Sequence, residues 1–172
     1  MAIDDGEIGE TWSNLIQPGR PIPADATLVH GISDAMVATA PLPAEVMAEL
    51  RRRCGDLTLV FHNVSFDLPF LIAELRRAGQ PALLNPIVDT LGLARGLAGA
   101  GSNSLGALAE RFGLPLEPRH RALGDALTTA RLFRALAVRW EHERRVTSLA
   151  ELAAVSQDLV RPAAARAMAV GV

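Results

Sequence analysis

A chain of 172 residues with 49% hydrophobic and 21% charged side chains has the size and balance of one globular domain, which excludes an intrinsically disordered protein. Its net charge of −2 offers no bulk basic surface, which argues against a protein that grips nucleic acid by charge alone. It does not exclude a nuclease, because divalent ions can supply positive charge inside an acidic cleft. No apolar run approaches the roughly 18 residues of a membrane span, the start carries no secretory pattern, and Cys54 is the only cysteine. The expectation is a cytoplasmic domain with no membrane partner.

In chain order, Asp4-Asp5-Gly6-Glu7 predicts a hairpin turn, and the alternation from Ile8 to Ile16 predicts a strand. Pro18 to Pro23 is loop by composition. Pro43 to Cys54 reads as a helix opened by proline, and Leu57 to Phe61 as a buried strand. Ser65 is placed to cap a helix running to about Arg77 and stopped by Gly79. Pro86 to Thr90 is a short strand. Ser104 is a second cap, for a helix with Leu105, Leu108, Ala109 and Phe112 inward and Gly113 as its stop. The longest helix starts near Ala122, with an apolar stripe of Leu123, Ala126, Leu127, Ala130, Phe133, Ala137 and Trp140. Trp12 and Trp140 lie on apolar faces and read as core. Residues 1–145 form the expected domain, and 146–172 an alanine-rich helix or tail. Strands that come to alternate with helices predict an α/β domain with a mixed sheet.

Three stretches carry chemistry. His62-Asn63-Val64-Ser65-Phe66-Asp67 places a carboxylate just past a strand's carboxyl end, where ligands of open α/β sheets gather. Alone, Asp67 would merely complement the positive end of its helix. His120 and Asp125 are five residues apart, about 140° around a helix, so both face one cleft only if His120 precedes the helix and Asp125 lies in its first turns. A loop histidine and a solvated carboxylate would be the bland reading of that pair. The third stretch is the loop Pro18 to Pro23 followed by His30-Gly31-Ile32. No glycine-rich phosphate loop, zinc-ligand spacing or Ser-His-Asp arrangement occurs.

In order and spacing, from about Met1 to about Trp140, these stretches resemble the DnaQ-like (DEDDh) 3'–5' exonucleases, a family that includes the ε proofreading subunit of bacterial replicative polymerase. The resemblance implies a ribonuclease-H-like fold, a mixed sheet flanked by helices. It also implies hydrolysis of phosphodiester bonds at the 3' end of DNA or RNA, in proofreading or repair. It assigns His120 as general base, Asp67 and Asp125 as ligands of a two-ion Mg²⁺ or Mn²⁺ site, and His30, Asp25, Asn63 and Phe66 as substrate contacts. His30 would meet the terminal nucleotide. Asp25 reads equally well as a sugar contact or an exposed loop acid. Arg119 and Arg121 flank His120, where they suit a phosphate or a solvated helix start. The implied partners are a single-stranded 3' end and a DNA polymerase subunit.

One family feature has no match. The family's first, central strand carries an Asp-x-Glu pair, and Asp4, Asp5 and Glu7 belong to a turn instead. Three explanations follow: a start assigned too late, a fragment completed by another polypeptide, or a non-catalytic relative that binds nucleic acid or a polymerase. The first is favoured, with a reading frame that continues upstream into an Asp-x-Glu strand.

Overall fold

The structure is a computed structural model that describes residues 1–97, 101–115, 117 and 122–169, with the side chains of 160–169 excepted. Its first element is a small hairpin. Strands β1 (Ile3–Asp4) and β2 (Glu7–Ile8) pair antiparallel around Asp5 and Gly6, whose φ angles of 46° and 79° are both left-handed. Positive φ at both central residues matches the right-handed twist of the strands they join. The hairpin falls where the Asp-Asp-Gly signal put it. The strand expected to continue to Ile16 ends at Ile8 instead. Beyond Glu10, which accepts the Ala2 N–H, no neighbouring strand bonds this segment among the described residues, and Trp12 and Ile16 pack their side chains on helices.

Two short helices follow that the sequence pattern does not mark, α1 (Ala24–His30) and α2 (Asp34–Val37). Helix α3 (Pro43–Cys54) starts on its proline as expected. Strand β3 (Leu59–Phe61), helix α4 (Val64–Arg77) and strand β4 (Ile87–Asp89) form a β-α-β unit in which β3 and β4 are parallel. Helices α5 (Thr90–Gly96), α6 (Leu105–Arg111), α7 (Ala122–Arg144) and α8 (Leu149–Ala169) complete the chain. Parallel and antiparallel pairing thus both occur, in two separate two-stranded sheets among the described residues.

The main core joins β4, α5, α6, α7 and α8 through Val88, Leu93, Leu108, Leu132, Leu136 and Leu152. A smaller core sits between α3 and α4, built on Val46, Met47 and Leu75 with Trp12 against its rim. On α7 the buried face is wider than the predicted stripe and rotated from it. Thr128, Leu132 and Leu136 are buried, whereas Ala126 is exposed. Thr128 can be buried because its hydroxyl donates to the Gly124 carbonyl at 3.0 Å. Trp140 is core, as expected, and its indole N–H donates to the Leu93 carbonyl at 3.0 Å.

Helix α8 enters the same core with Leu152 and Ala153. It also closes the outer edge of β4 with side chains. The Asp89 N–H donates to Ser156 Oγ at 3.1 Å, and Gln157 Nε2 donates to the Ile87 carbonyl at 3.2 Å. A Cβ on Gly92 would sit 2.1 Å from the Ser156 carbonyl oxygen, so only glycine lets α5 and α8 approach this closely.

Candidate active site

The site is built where β3 and β4 end. The chain leaves β3 through His62 and Asn63, and Asn63 turns into α4 with φ 66° and ψ 59°, a left-handed conformation that asparagine tolerates. Its side chain does not cap the helix. Nor does Ser65, which lies inside α4 and donates to Asn63 Oδ1 at 3.0 Å, contrary to its predicted role. The cap comes from the neighbouring strand. Asp89 Oδ1 accepts from the Asn63 N–H at 2.9 Å and the Leu91 N–H at 2.9 Å, and Oδ2 accepts from the Val64 N–H at 3.0 Å. One fully buried carboxylate therefore starts both α4 and α5.

Asp89 was not singled out from sequence, although a signal existed. It stands at the carboxyl end of a parallel strand, as Asp67 stands soon after its neighbour, and it is the one acid in the run from Pro86 to Leu91.

Asp67 lies in the first turn of α4 and Asp125 in the first turn of α7. Burial raises the Asp67 pKa above the ordinary carboxylate value, and the negative charges of Asp125 and Asp89 raise it further. Asp89 has its oxygens committed to three N–H groups, which leaves Asp67 and Asp125 as the open pair. Such a pair suits a hard divalent cation, whose charge would replace their repulsion with attraction. Among the described residues no group of three or more His, Cys, Asp or Glu converges on one point.

An open cleft of about 530 Å³ is lined among others by His62, Asn63, Phe66 (the residue before Asp67), Arg95 and Asn103. The Phe66 ring is 65% exposed and lies 6.0 Å from the Phe70 ring at 56°. His62 Nδ1 is 2.9 Å from Thr90 Oγ1, which also donates to the Phe61 carbonyl at 3.1 Å. Burial lowers the His62 pKa and nearby Arg95 adds to this, while Asp89 and the Asn103 backbone oppose it. His120, Arg119 and Arg121 lie outside the described residues. Asp25 and His30 sit at opposite ends of α1. Asp25 accepts from the Ala26 N–H and His30 Nδ1 from the Ile32 N–H, and among the described residues no hydrogen bond joins either to the carboxylate pair.

The Exonuclease (RNase_T) family model matches residues 1–133. The chain belongs to the exonuclease family. Its likeness to the curated relatives it matches is local. A DNA polymerase III subunit epsilon-like protein of Rhodobacter capsulatus is 46% identical over 128 residues, 73% of this chain and 18% of that protein. A PolC-type DNA polymerase III of Streptococcus pneumoniae is 35% identical over 158 residues, 91% of this chain and 11% of that protein. The chain therefore spans less than a fifth of the length of these relatives. Among solved structures, exonuclease X in complex with 5' overhanging duplex DNA matches with a TM-score of 0.69 at 28% identity, covering 90% of this chain and 86% of that one. The α/β exonuclease fold with ribonuclease-H-like architecture is the one the sequence predicts.

Proposed function

We propose that this exonuclease domain is a metal-dependent 3'–5' exonuclease that removes nucleotides from the 3' end of DNA or RNA, in proofreading or repair. The observation that carries the reading is the placement of Asp67 and Asp125 in the first turns of two helices, with the Asp125 charge helping to raise the Asp67 pKa, in a member of the exonuclease family. Mg²⁺ or Mn²⁺ ions held there would supply the charge that activates water and stabilises the departing oxygen. Asp67 and Asp125 are the ligands and His120 the general base. An imidazole suits that task, since its ordinary pKa near 6.5 leaves it able to take a proton at neutral pH. Asn63 and Phe66 hold the terminal nucleotide beside the carboxylates, with His30 and Asp25 as further contacts to base and sugar. A polymerase subunit is the proposed protein partner, and the cytoplasm the proposed compartment. No helix among the described residues is long and apolar enough to cross a membrane.

The test is release of mononucleotides from a 3'-labelled single strand in Mn²⁺. Wild type should shorten the strand from the labelled end, and His120→Ala should slow it by roughly two to four orders of magnitude, the usual contribution of a general base. Equal rates in the two proteins would remove His120 from the mechanism.

A second reading is favoured by one observation: among the described residues no group of three or more His, Cys, Asp or Glu comes together to hold a metal ion. In it the domain is a non-catalytic module that holds nucleic acid or docks on a polymerase. It predicts strand binding without shortening in any divalent ion.

A further inference from the structure

The first turn of α4, which carries Asp67, is weakly held by its own helix. Its entry residue Asn63 sits in the left-handed region and offers no side-chain cap. Two residues beyond Asp67 stands Pro69, inside the helix. A proline has no N–H, so position 69 gives the Ser65 carbonyl no helical hydrogen bond. The turn is tied at its start by a side chain from elsewhere in the chain, the Asp89 carboxylate, which accepts from the Asn63 and Val64 N–H groups. Asp89 is itself firmly anchored. It pairs with Phe61 of β3, its Oδ1 also accepts from the Leu91 N–H of α5, and its own N–H donates to Ser156 Oγ on α8. Helix α8 lies beyond residues 1–133, the stretch that matches the family model, so the anchor of α4 reaches outside that stretch.

We propose that Asp89 is a positioning residue, which clamps the start of α4 and so fixes the Asp67 carboxylate where a divalent ion shared with Asp125 would bind. Asp89 is fully buried and its oxygens are given to N–H groups, so it acts on the ion through Asp67 and not by contact. Its negative charge works in the same direction. That charge lies close enough to raise the Asp67 pKa, so it adds to the attraction a cation meets there. A carboxylate that orients a metal ligand sets affinity without joining the coordination shell. The ion rests on the metal-site reading above; the clamp on α4 does not.

The experiment is a Mn²⁺ titration of the full chain well below its melting temperature, with free ion counted by its paramagnetic resonance signal so that no catalysis is needed. Two variants carry it. Asp89→Asn keeps the size of the side chain but turns an NH₂ toward a donor, and Asp89→Ser keeps one oxygen for the start of α5 and has none for α4. Whichever of them folds should bind Mn²⁺ roughly 10- to 100-fold more weakly than wild type, the usual effect of losing a group that orients a metal ligand. Trp140→Phe is the control for lost stability alone, because it removes the bond to the Leu93 carbonyl at the end of α7 far from Asp125. It should bind Mn²⁺ as wild type does. Equal weakening in Trp140→Phe would overturn the proposal. Tight binding in wild type and in an Asp89 variant alike would overturn the proposal alone and leave the metal site standing. A wild type that binds no Mn²⁺ would overturn the metal reading and the proposal with it.

Discussion

Asp67 is exposed at the start of α4, yet its surroundings disfavour its ionised form. Its pKa is raised by burial first and by two neighbouring carboxylates second, so the folded protein binds its proton more tightly than the unfolded chain does. Above the raised value the ionised group weakens the fold, and this weakening disappears as pH falls through the ordinary carboxylate value of 3.8. Without divalent ions, Asp67→Asn should therefore melt higher than wild type at pH 7. The difference should close in acid. A variant that melts lower than wild type at pH 7 would show that the repulsion is not there. Asp89 makes the contrast. Its oxygens meet three N–H groups, and Asp89→Asn must turn an NH₂ toward at least one of them. Leaving a buried donor unmet costs roughly 1–3 kcal/mol, and the lost charge-assisted bonds add to it, so a loss of about 2–4 kcal/mol is expected from denaturant midpoints.

Elements were legible where chemistry is local. The Asp-Asp-Gly turn, the proline start of α3, the Ser104 cap and the glycine stops at Gly79 and Gly113 each act through their own backbone, and each falls where the pattern put it. The start of α4 was not legible, because its cap comes from Asp89, in another strand, and only the fold brings them together. The α7 stripe was misread because Thr128 looks polar in sequence and is satisfied internally. On α8 the fully buried Ser156 and the close approach of Gly92 give no hydrophobic signal, so the helix passes for a weak tail. That contact is testable. Gly92→Ala would drive a Cβ into the Ser156 carbonyl and should destabilise by about 1–3 kcal/mol or more, read from thermal melting. A neutral result would mean that α8 does not pack on α5 this closely.

At the scale of the whole molecule, the main core of β4 and α5 to α8 and the smaller α3–α4 core meet at the β-α-β unit, and the candidate site lies at its strand ends. The class of fold was readable from alternation of elements, and carboxylates just past strand ends marked where the candidate site is proposed. The pairing of Asp67 with Asp125 came from the family resemblance alone, since no spacing along the chain reports the packing of α7 on β3. That pairing is the central claim, and a Mn²⁺ titration followed by melting temperature tests it most directly. The wild type should rise with added ion, by about 2.7 kcal/mol of stability at a hundredfold excess over the dissociation constant. Asp67→Asn and Asp125→Asn should each respond far less. A wild type whose melting temperature Mn²⁺ leaves unmoved, or variants that rise as much as wild type, would contradict the account.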